Sequence, residues 1–587
     1  MMGFKTRTSV IVASLAAAVM LIVASCGGGA DKTPTANPAT PTVTTGATAT
    51  SVSRPTPTPV PATPTAFLLP STATPTPVGT QIKTGGSLTI RSLRSWDIRD
   101  TYDIRGKFSL LWVQNMLSNL VKTDFQKPAV VLPDTAQSWD VTNGGKTYTF
   151  RLRPGIKWSD GTPYTAKDVL FNFDRAKNPS SPLLASNLEP TKVIESMDAP
   201  DDLTFRVNLK QPSAYFLAGV AAPFFLMYPS HLGANVAQAW GDNMISTGPF
   251  LVKDFKFDIS ALLVRNPNYY GRDPQGRPYP YLDSINLVFI PDNTAATAAF
   301  RTGRIDCGCE TDFVTPLGDE IKKSNTQVTV INFSQDAIHY FFNNRPPFND
   351  IRVRQAVQMA IDFDEINRVS RGGKAFYPPT FILGREFGGS WALSADEMSK
   401  MPGYRLPKDQ DVAEAKRLLA AAGVDPSKTK LKVQAIAFYA DFSDAFVTAL
   451  RKQGWDLDVQ LPTTSALSQA LSQGDFDISF QGGGRTIDDP QDITGGYILT
   501  KGGQNFGKWS FPVIDQLFAQ QDQELDPAKR ALVIADMLRE VAKQLFYMPA
   551  LNIASTRVLY PQVKGYLVGA FSASSNLRFE HLWADRG

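Results

Sequence analysis

The sequence predicts an α/β fold, because strand and helix signals alternate between residues 410 and 482. Apolar positions at helical spacing predict a helix that ends at Gly423, a residue type favoured just beyond a helix C-terminus. The signals that follow predict a strand at Leu431–Phe438, a helix at Phe442–Gln453, a strand at Leu457–Leu461, a short helix and a strand at Phe476–Phe480. This alternation is typical of a mostly parallel sheet covered by helices.

Length and composition indicate a globular protein of two or three domains. The chain has 587 residues, of which 43% are hydrophobic and 19% are charged, and these are ordinary values for folded proteins. The formal net charge of +4 is small and is not gathered in a Lys/Arg block. Nucleic acid is therefore not expected as a partner.

The N-terminus has the pattern of a lipoprotein signal peptide over residues 1–25. Lys5 and Arg7 precede an apolar stretch too short to span a bilayer, and Val23-Ala24-Ser25 leads into Cys26. A cysteine after small residues resembles the bacterial lipobox, in which the thiol is acylated. The alternative is an ordinary signal peptide with an incidental cysteine. Acylation of Cys26 places the protein on the extracytoplasmic face of the cell membrane, held by a lipid anchor.

Residues 26–83 form the predicted lipidated cysteine and stalk. Pro, Thr and Ala dominate this segment, which cannot bury enough apolar surface to offset chain entropy, so it is predicted to be disordered. Repeated proline favours polyproline II, which gives a spacer of up to roughly 170 Å. The sequence leaves its glycosylation open.

The body is predicted to begin with a strand at Gly86–Ile90, after the turn signal of Gly85. Tyr148, Phe150 and Leu152 alternate with polar residues, as in a half-buried strand. Thr165 and Asp168 form a variant capping box, which predicts a helix through Ala176.

A glycine-rich, polar loop is predicted at residues 481–490, directly after the last strand of the α/β segment. Ligands of such sheets bind outside the carboxyl ends of strands, so this loop is a candidate binding site. A flexible surface connection is the alternative.

Two body cysteines, Cys307 and Cys309, are separated by one residue. They are either free thiols or one bridge, and a C-x-C pair alone is weak evidence for a metal site.

Several blocks in the body resemble the oligopeptide/dipeptide/nickel class of bacterial extracellular solute-binding proteins, family 5. In their order and spacing they are specific. The blocks are Leu132–Asp140, Thr147–Pro163, Thr165–Val169, Thr247–Phe250, Arg265–Gly271, Pro280–Ile285, Gly303–Asp306, Pro346–Ala356 and Ala360–Phe363. Arg352 and Arg354, within one block, are expected to cap or brace a helix rather than to touch ligand.

This resemblance implies a periplasmic-binding-protein-like fold of type II (cluster C): two lobes with mixed sheets and an inserted subdomain, hinged around a ligand cleft. It implies a first lobe of residues 84–123, 244–335 and 549–587, an inserted subdomain at 124–243 and a second lobe at 336–548. The implied function is a monomeric receptor that delivers a peptide-like or other polar oligomeric solute to the permease subunits of an ABC importer, without catalysis and without a cofactor.

The candidate site departs from the peptide-binding pattern. In peptide-binding relatives, the loop after the last strand carries a Trp and then an Asp that pairs with the α-amino group of the peptide. Gly483 and Thr486 stand at these positions, so either Asp488 substitutes or the receptor does not bind a free amino terminus. Arg485 faces either an anionic group or solvent.

The remaining candidates are mostly aromatic. Trp96 and Tyr102 lie in the loop that faces the cleft in relatives, and Tyr340 and Phe342 lie on the crossover into the second lobe. The latter two equally fit a strand core. Gly482 and Asn552 complete the candidate substrate-binding set.

Three alternative functions make different demands on the sequence: an enzyme, an oligosaccharide receptor and a surface sensor. An enzyme would need a catalytic cluster, but His231, His339 and His581 are widely separated, and Asp488 and Asp489 are adjacent and so are not expected to face one point. So few histidines also argue against a His-rich nickel site. An oligosaccharide receptor of the same family, or a surface sensor that has lost transport, are the alternatives to a peptide receptor.

Overall fold

The computed structural model describes residues 81–92, 101, 108–127, 129–178, 189–233, 235–309, 313–382, 384, 389–435, 440–484, 487–567 and 578–586. All of them fall in one compact unit, Ala66–Gly587. Cys26 and the predicted stalk up to residue 80 lie outside the described residues, as do Trp96, Tyr102, Arg485 and Thr486.

The described strands are β1 Ser87–Ser92, β2 Val121–Thr123, β3 Val131–Pro133, β4 Ala136–Thr142, β5 Thr147–Leu152, β6 Ile194–Asp201, β7 Thr204–Leu209, β8 Phe250–Lys256, β9 Ser260–Arg265, β10 Ser284–Phe289, β11 Phe313–Val314, β12 Thr329–Phe342, β13 Lys430–Gln434, β14 Asp456–Gln460, β15 Ile478–Gly484, β16 Tyr547–Leu559, β17 Val563–Lys564 and β18 Trp583–Ala584.

The described helices are α1 Phe108–Met116, α2 Ala166–Lys177, α3 Phe216–Val220, α4 Val236–Asn243, α5 Asn293–Arg301, α6 Thr315–Ser324, α7 Ile351–Ala360, α8 Phe363–Arg371, α9 Ala395–Lys400, α10 Asp409–Ala422, α11 Ala440–Lys452, α12 Thr464–Ser472, α13 Pro490–Ile498, α14 Pro512–Gln523 and α15 Pro527–Gln544. Within the described part of the chain, none of these helices is both long enough and apolar enough to cross a bilayer.

Three sheets organise the body. The first has the order β1-β10-β9-β8, and the second, β4-β5-β7-β6, is antiparallel throughout. Both contribute to one hydrophobic core, which we call the first core. The third sheet, β11-β16-β12-β15-β13-β14, carries the second core at its β12–β14 end. The two cores correspond to two lobes, and we call the β4–β7 sheet with its flanking segments the inserted subdomain.

Local signals in the sequence correspond closely to the elements they predict. The Thr165 hydroxyl accepts from the Lys167 amide, and the Asp168 carboxylate accepts from the Thr165 amide, which completes the predicted capping box of α2. Residues in β5 alternate between buried and accessible, as predicted. Gly423 ends α10 with a φ of 70°, a left-handed conformation that glycine adopts at low cost.

The α/β segment is confirmed, but its sheet is mixed rather than mostly parallel. β13 pairs in parallel with both β14 and β15. The neighbouring strands β12 and β16 come from outside the segment and pair antiparallel, β12 with β15 and with β16. The sheet is mixed because β12 and β16 carry the chain between the lobes. They do not join the sheet through βαβ crossovers within the segment.

The same two strands physically join the lobes. Ile331, early in β12, belongs to the first core, whereas residues 338 and 340–342 belong to the second. β16 runs the opposite way, from the second core at Tyr547 to the first core at Leu559. The pairing between them shifts register between Ser334 and Ala337, close to the midpoint of the crossing.

The two cysteines, whose state the sequence left open, are joined by a disulfide bond. Both are fully buried. The backbone of Cys307 forms isolated β-bridge pairs with Ile90 of β1 on one side and with Leu559 of β16 on the other. This short segment therefore links the sheet of the first lobe to the strands that cross between lobes.

A buried ion pair fixes the C-terminal segment to the chain between β3 and β4. Arg578 donates to both carboxylate oxygens of Asp134, at 2.9 and 2.6 Å, and both side chains are 1% exposed. Burial opposes the charge on Asp134, but the charges of Arg578 and Lys122, with the hydrogen bonds from Arg578 and Tyr270, together outweigh burial and lower the pKa of this carboxyl below its usual range. The Asn119 amide and the Tyr270 hydroxyl complete the coordination of the carboxylate.

Substitution Arg578→Met is expected to lower the free energy of unfolding by about 3–5 kcal/mol, because it leaves the Asp134 charge buried and unpaired. The control is Arg151→Met, which breaks an ion pair whose side chains are 55% and 61% exposed and should cost about 0–1 kcal/mol. Urea unfolding followed by tryptophan fluorescence measures both. Equal losses in the two variants would contradict this account of the pair.

Candidate functional site

The candidate site lies where β15 ends, and β15 is longer than the sequence predicted. Gly482, Gly483 and Gly484 pair with Ile338, Ala337 and Asp336 of β12. The prediction of a loop from residue 481 is therefore wrong for residues 481–484, because an adjacent antiparallel strand supplies partners for their backbone groups. The three glycines therefore extend β15 along β12.

Asp488 is anchored to a neighbouring loop of the second lobe. Its carboxylate accepts from the Ser390 amide at 2.7 Å, and its backbone oxygen accepts from the Trp391 indole at 2.9 Å. The residue is only 6% exposed. The Asp488 carboxylate therefore holds this loop in place.

Asp489 faces a different partner. Its carboxylate lies 2.8 Å from an Arg530 guanidinium nitrogen, with side chains 2% and 6% exposed, and also accepts from the Gln491 amide at the start of α13. Arg530 lies over the Trp391 ring at 4.9 Å and donates to the Gln521 side-chain oxygen at 2.7 Å. The adjacent carboxylates thus bind separate groups, as expected from the sequence.

Ile487 connects this loop to the other lobe. It is 1% exposed and packs in the first core, although the next residues are held by groups of the second lobe. We call residues 487–490 the site loop. Because it contacts both cores, its position reports how the two lobes are placed relative to one another.

Tyr340 and Phe342 lie in the second core. Both have no exposed surface. The Tyr340 ring lies 5.3 Å from that of Phe446 and its hydroxyl bonds to Gln358, while Phe342 stacks on Phe348 at 4.4 Å. These contacts favour the core alternative that the sequence left open for them.

Asn552 also has structural partners. Its side-chain oxygen accepts from the Thr380 amide and its side-chain nitrogen donates to the Thr380 hydroxyl, both at 3.0 Å, and its backbone oxygen accepts from the Phe376 amide. The residue is 1% exposed. Asn552 therefore fastens the segment around residues 376–380 to β16.

The histidines have separate environments. His231 lies 2.8 Å from Asp160, His339 stacks on Tyr547 at 4.7 Å, and His581 lies 3.0 Å from the Tyr279 hydroxyl. Burial lowers the pKa of His581. Among the described residues, no group of three or more His, Cys, Asp or Glu side chains is arranged to hold a metal ion.

The family block at residues 346–356 is a structural brace, as predicted. Arg352 binds its own helix cap, Asp350, and the Ala421 carbonyl. Arg354 donates to the Phe348 and Gln544 carbonyls and lies over Trp509 at 4.4 Å.

Sequence reasoning missed three residues that shape the site loop: Ser390, Trp391 and Arg530. They come from distant parts of the chain and belong to no recognisable motif. The one available signal was Trp391, a large aromatic residue in a polar, glycine-rich segment.

Comparisons with known proteins agree with this architecture. The model of the bacterial extracellular solute-binding proteins, family 5, matches residues 130–505. The probable deoxycholate-binding periplasmic protein YgiS of Escherichia coli is 27% identical over 461 residues, which cover 74% of this chain and 82% of that protein. The oligopeptide-binding protein OppA of the same species is 25% identical over 461 residues, covering 74% and 81%.

Solved structures show the same fold. The ABC transporter substrate-binding protein CtaP of Listeria monocytogenes superposes with a TM-score of 0.71 at 22% identity, covering 86% of this chain and 100% of that one. DppA of Helicobacter pylori, solved with a bound peptide, gives 0.70 at 22% identity, covering 86% and 99%. The two-lobed α/β fold is that of these periplasmic binding proteins, and this chain belongs to the bacterial extracellular solute-binding proteins, family 5.

Proposed function

We propose that this protein is a receptor that captures a polar oligomeric solute between its two lobes and passes it unchanged to an ABC importer. The observation that carries the proposal is the site loop, which is held by the first core at Ile487 and by the second lobe at Asp488 and Asp489. A loop at the end of a strand that contacts both lobes is well placed to sense a solute between them.

The same contacts support a receptor without a catalytic role. Asp488 and Asp489 are the most obvious acid–base candidates near the site, and both are engaged in fixing the loop. A general acid or base has to reach the reacting group directly.

In this proposal the domains are those implied by the resemblance, with residues 84–123, 244–335 and 549–587 in the first lobe, 124–243 in the inserted subdomain and 336–548 in the second lobe.

The solute that we favour has no free amino terminus. A buried ammonium needs a carboxylate partner, since an unpaired one costs several kcal/mol, roughly 3–5. Asp488 is bound by the Ser390 amide and Asp489 by Arg530, and Thr486 stands where peptide-binding relatives carry Asp. Relatives include an oligopeptide-binding protein, a probable deoxycholate-binding protein and a heme-binding protein, so the family accommodates solutes without an α-amino group.

A thermal-shift screen tests the proposed solute class. We expect N-acetylated di- to pentapeptides or neutral oligosaccharides to raise the melting temperature by mass action, by an amount that grows with concentration. Each acetylated peptide is paired with the same peptide carrying a free amino terminus, and α- and β-linked oligosaccharides form a separate set. Stabilisation by free peptides alone would show that a carboxylate does receive the amino group, and no stabilisation by any set would count against the receptor function.

We also propose that acylated Cys26 anchors the protein to the extracytoplasmic face of the cell membrane, with residues 27–83 as a spacer. The support is the signal-like N-terminus and the Pro/Thr-rich composition. A multiply acylated cysteine holds a protein on a bilayer because each buried CH₂ adds about 0.8 kcal/mol.

Substitution Cys26→Ser is expected to move the protein from the membrane fraction to the soluble extracytoplasmic fraction, because it removes the acylated thiol. The matched control is Ser25→Ala, which keeps a small residue before the cysteine and should leave the protein in the membrane fraction. Immunoblotting of the fractions, with metabolic labelling by palmitate, measures both. Retention of Cys26→Ser in the membrane without label would show that another feature anchors the chain.

A further inference from the structure

The end of α14 in the second lobe is bound directly by the inserted subdomain. The Asp522 carboxylate accepts from the Ser213 hydroxyl at 2.9 Å and from the Tyr215 amide at 3.1 Å. The Asp522 backbone oxygen accepts from the Ala214 amide at 2.6 Å. Asp522 of the second lobe therefore accepts three hydrogen bonds from three consecutive residues that follow β7.

The surfaces around this contact fit closely. Leu525 lies against the turn that precedes β5, where a Cβ at Gly145 would come within 2.5 Å of the leucine Cδ1. Gly145 also has a φ of 86°, which a side chain would disfavour. Glycine therefore suits this turn, which lies against Leu525 just beyond the end of α14.

A chain of hydrogen bonds leads from the contact to the site loop. Gln521 precedes Asp522 on α14, and its side-chain oxygen accepts from Arg530 at 3.0 and 2.7 Å. The same guanidinium pairs with Asp489 at 2.8 Å. Asp489 caps the N-terminus of α13 and belongs to the site loop. A shift at the end of α14 would therefore move Arg530, which fixes the site loop through Asp489.

The electrostatic surroundings of Asp522 make this contact sensitive to pH. Burial raises the pKa of Asp522 and the negative charge of Asp489 raises it further, while the Ser213 and Tyr215 bonds and Arg530 act in the opposite direction. The Tyr148 hydroxyl, on β5, is the other titratable group beside it, and its pKa is raised by burial and by Asp522. Because burial and Asp489 outweigh the Ser213 and Tyr215 bonds, the folded protein favours the protonated carboxyl, so this contribution to stability is present below the ordinary pKa of 3.8 and is lost as pH rises towards the raised pKa.

We propose that Asp522 is a positioning residue that couples docking of the inserted subdomain on the second lobe to the geometry of the site loop. The proposal rests on the proposed function, since it describes how closure of the receptor is sensed at its solute site. It requires no particular solute. Its test is made on the solute-free protein, so that its failure is distinguishable from failure of the solute screen.

Hydrogen exchange of the full chain, followed by mass spectrometry, tests the coupling in Asp522→Ala. The variant should speed exchange at residues 213–216 by about tenfold, because it removes the acceptor of two bonds. It should also speed exchange at residues 488–491, where the Gln491 amide is bonded to Asp489. The control is Gln523→Ala, an exposed neighbour on the same helix, which should leave both segments unchanged.

A second variant protects the test against a folding defect. Ser213→Ala removes the hydroxyl that donates to Asp522 and accepts from the Phe216 amide. It leaves Gln521, Arg530 and Asp489 intact, so faster exchange at residues 488–491 is its informative readout, and exchange should rise in both segments. Faster exchange confined to residues 213–216 in both variants would overturn the coupling. Unchanged exchange in both segments would overturn the contact itself.

The pH dependence distinguishes coupling through Asp522 from a merely structural role. Asp522→Asn keeps the acceptor oxygen and removes the titration. The ratio of wild-type to Asp522→Asn exchange at residues 213–216 cancels the intrinsic effect of pH, and over the range upward from about pH 4 it should rise. A constant ratio across this range would contradict the role given to the Asp522 carboxyl.

Discussion

The structure depends on one constraint: two adjacent antiparallel strands, β12 and β16, carry the chain continuously from one lobe to the other. Their ladder extends from Thr329 paired with Leu559 to Phe341 paired with Tyr547. Because both strands begin in one core and end in the other, the lobes cannot separate without bending this ladder. The register shift between Ser334 and Ala337 lies where bending costs the fewest regular hydrogen bonds, since ladder pairing is already interrupted there.

The candidate site follows from that constraint. β15 pairs with the second-lobe half of β12 and extends along it through Gly484, which brings the site loop to the boundary between lobes. Buried polar contacts then fix the loop: Asp489 with Arg530, and Asp488 with the Ser390 amide. Such contacts are costly to break once buried, so they favour one arrangement of the loop.

Features set by neighbouring residues were predictable, and those set by distant residues were not. The capping box of Thr165 and Asp168 and the end of α10 at Gly423 depend on a few consecutive residues, which a sequence displays directly. Asp488 meets Ser390 across 98 positions, and no local pattern encodes such a pairing. The role of Tyr340 could not be decided from sequence for a related reason. Alternation along a strand shows only that the two faces of the strand differ. The packing of Phe363 and Phe446 against Tyr340 shows that the face bearing Tyr340 is covered.

We propose that the two lobes joined by β12 and β16 close on a solute at the site loop. Small-angle X-ray scattering with and without a saturating solute measures this closure. We expect a smaller radius of gyration with solute, because closure brings the first and second cores together. An unchanged radius of gyration at a solute concentration that fully stabilises the protein would contradict it.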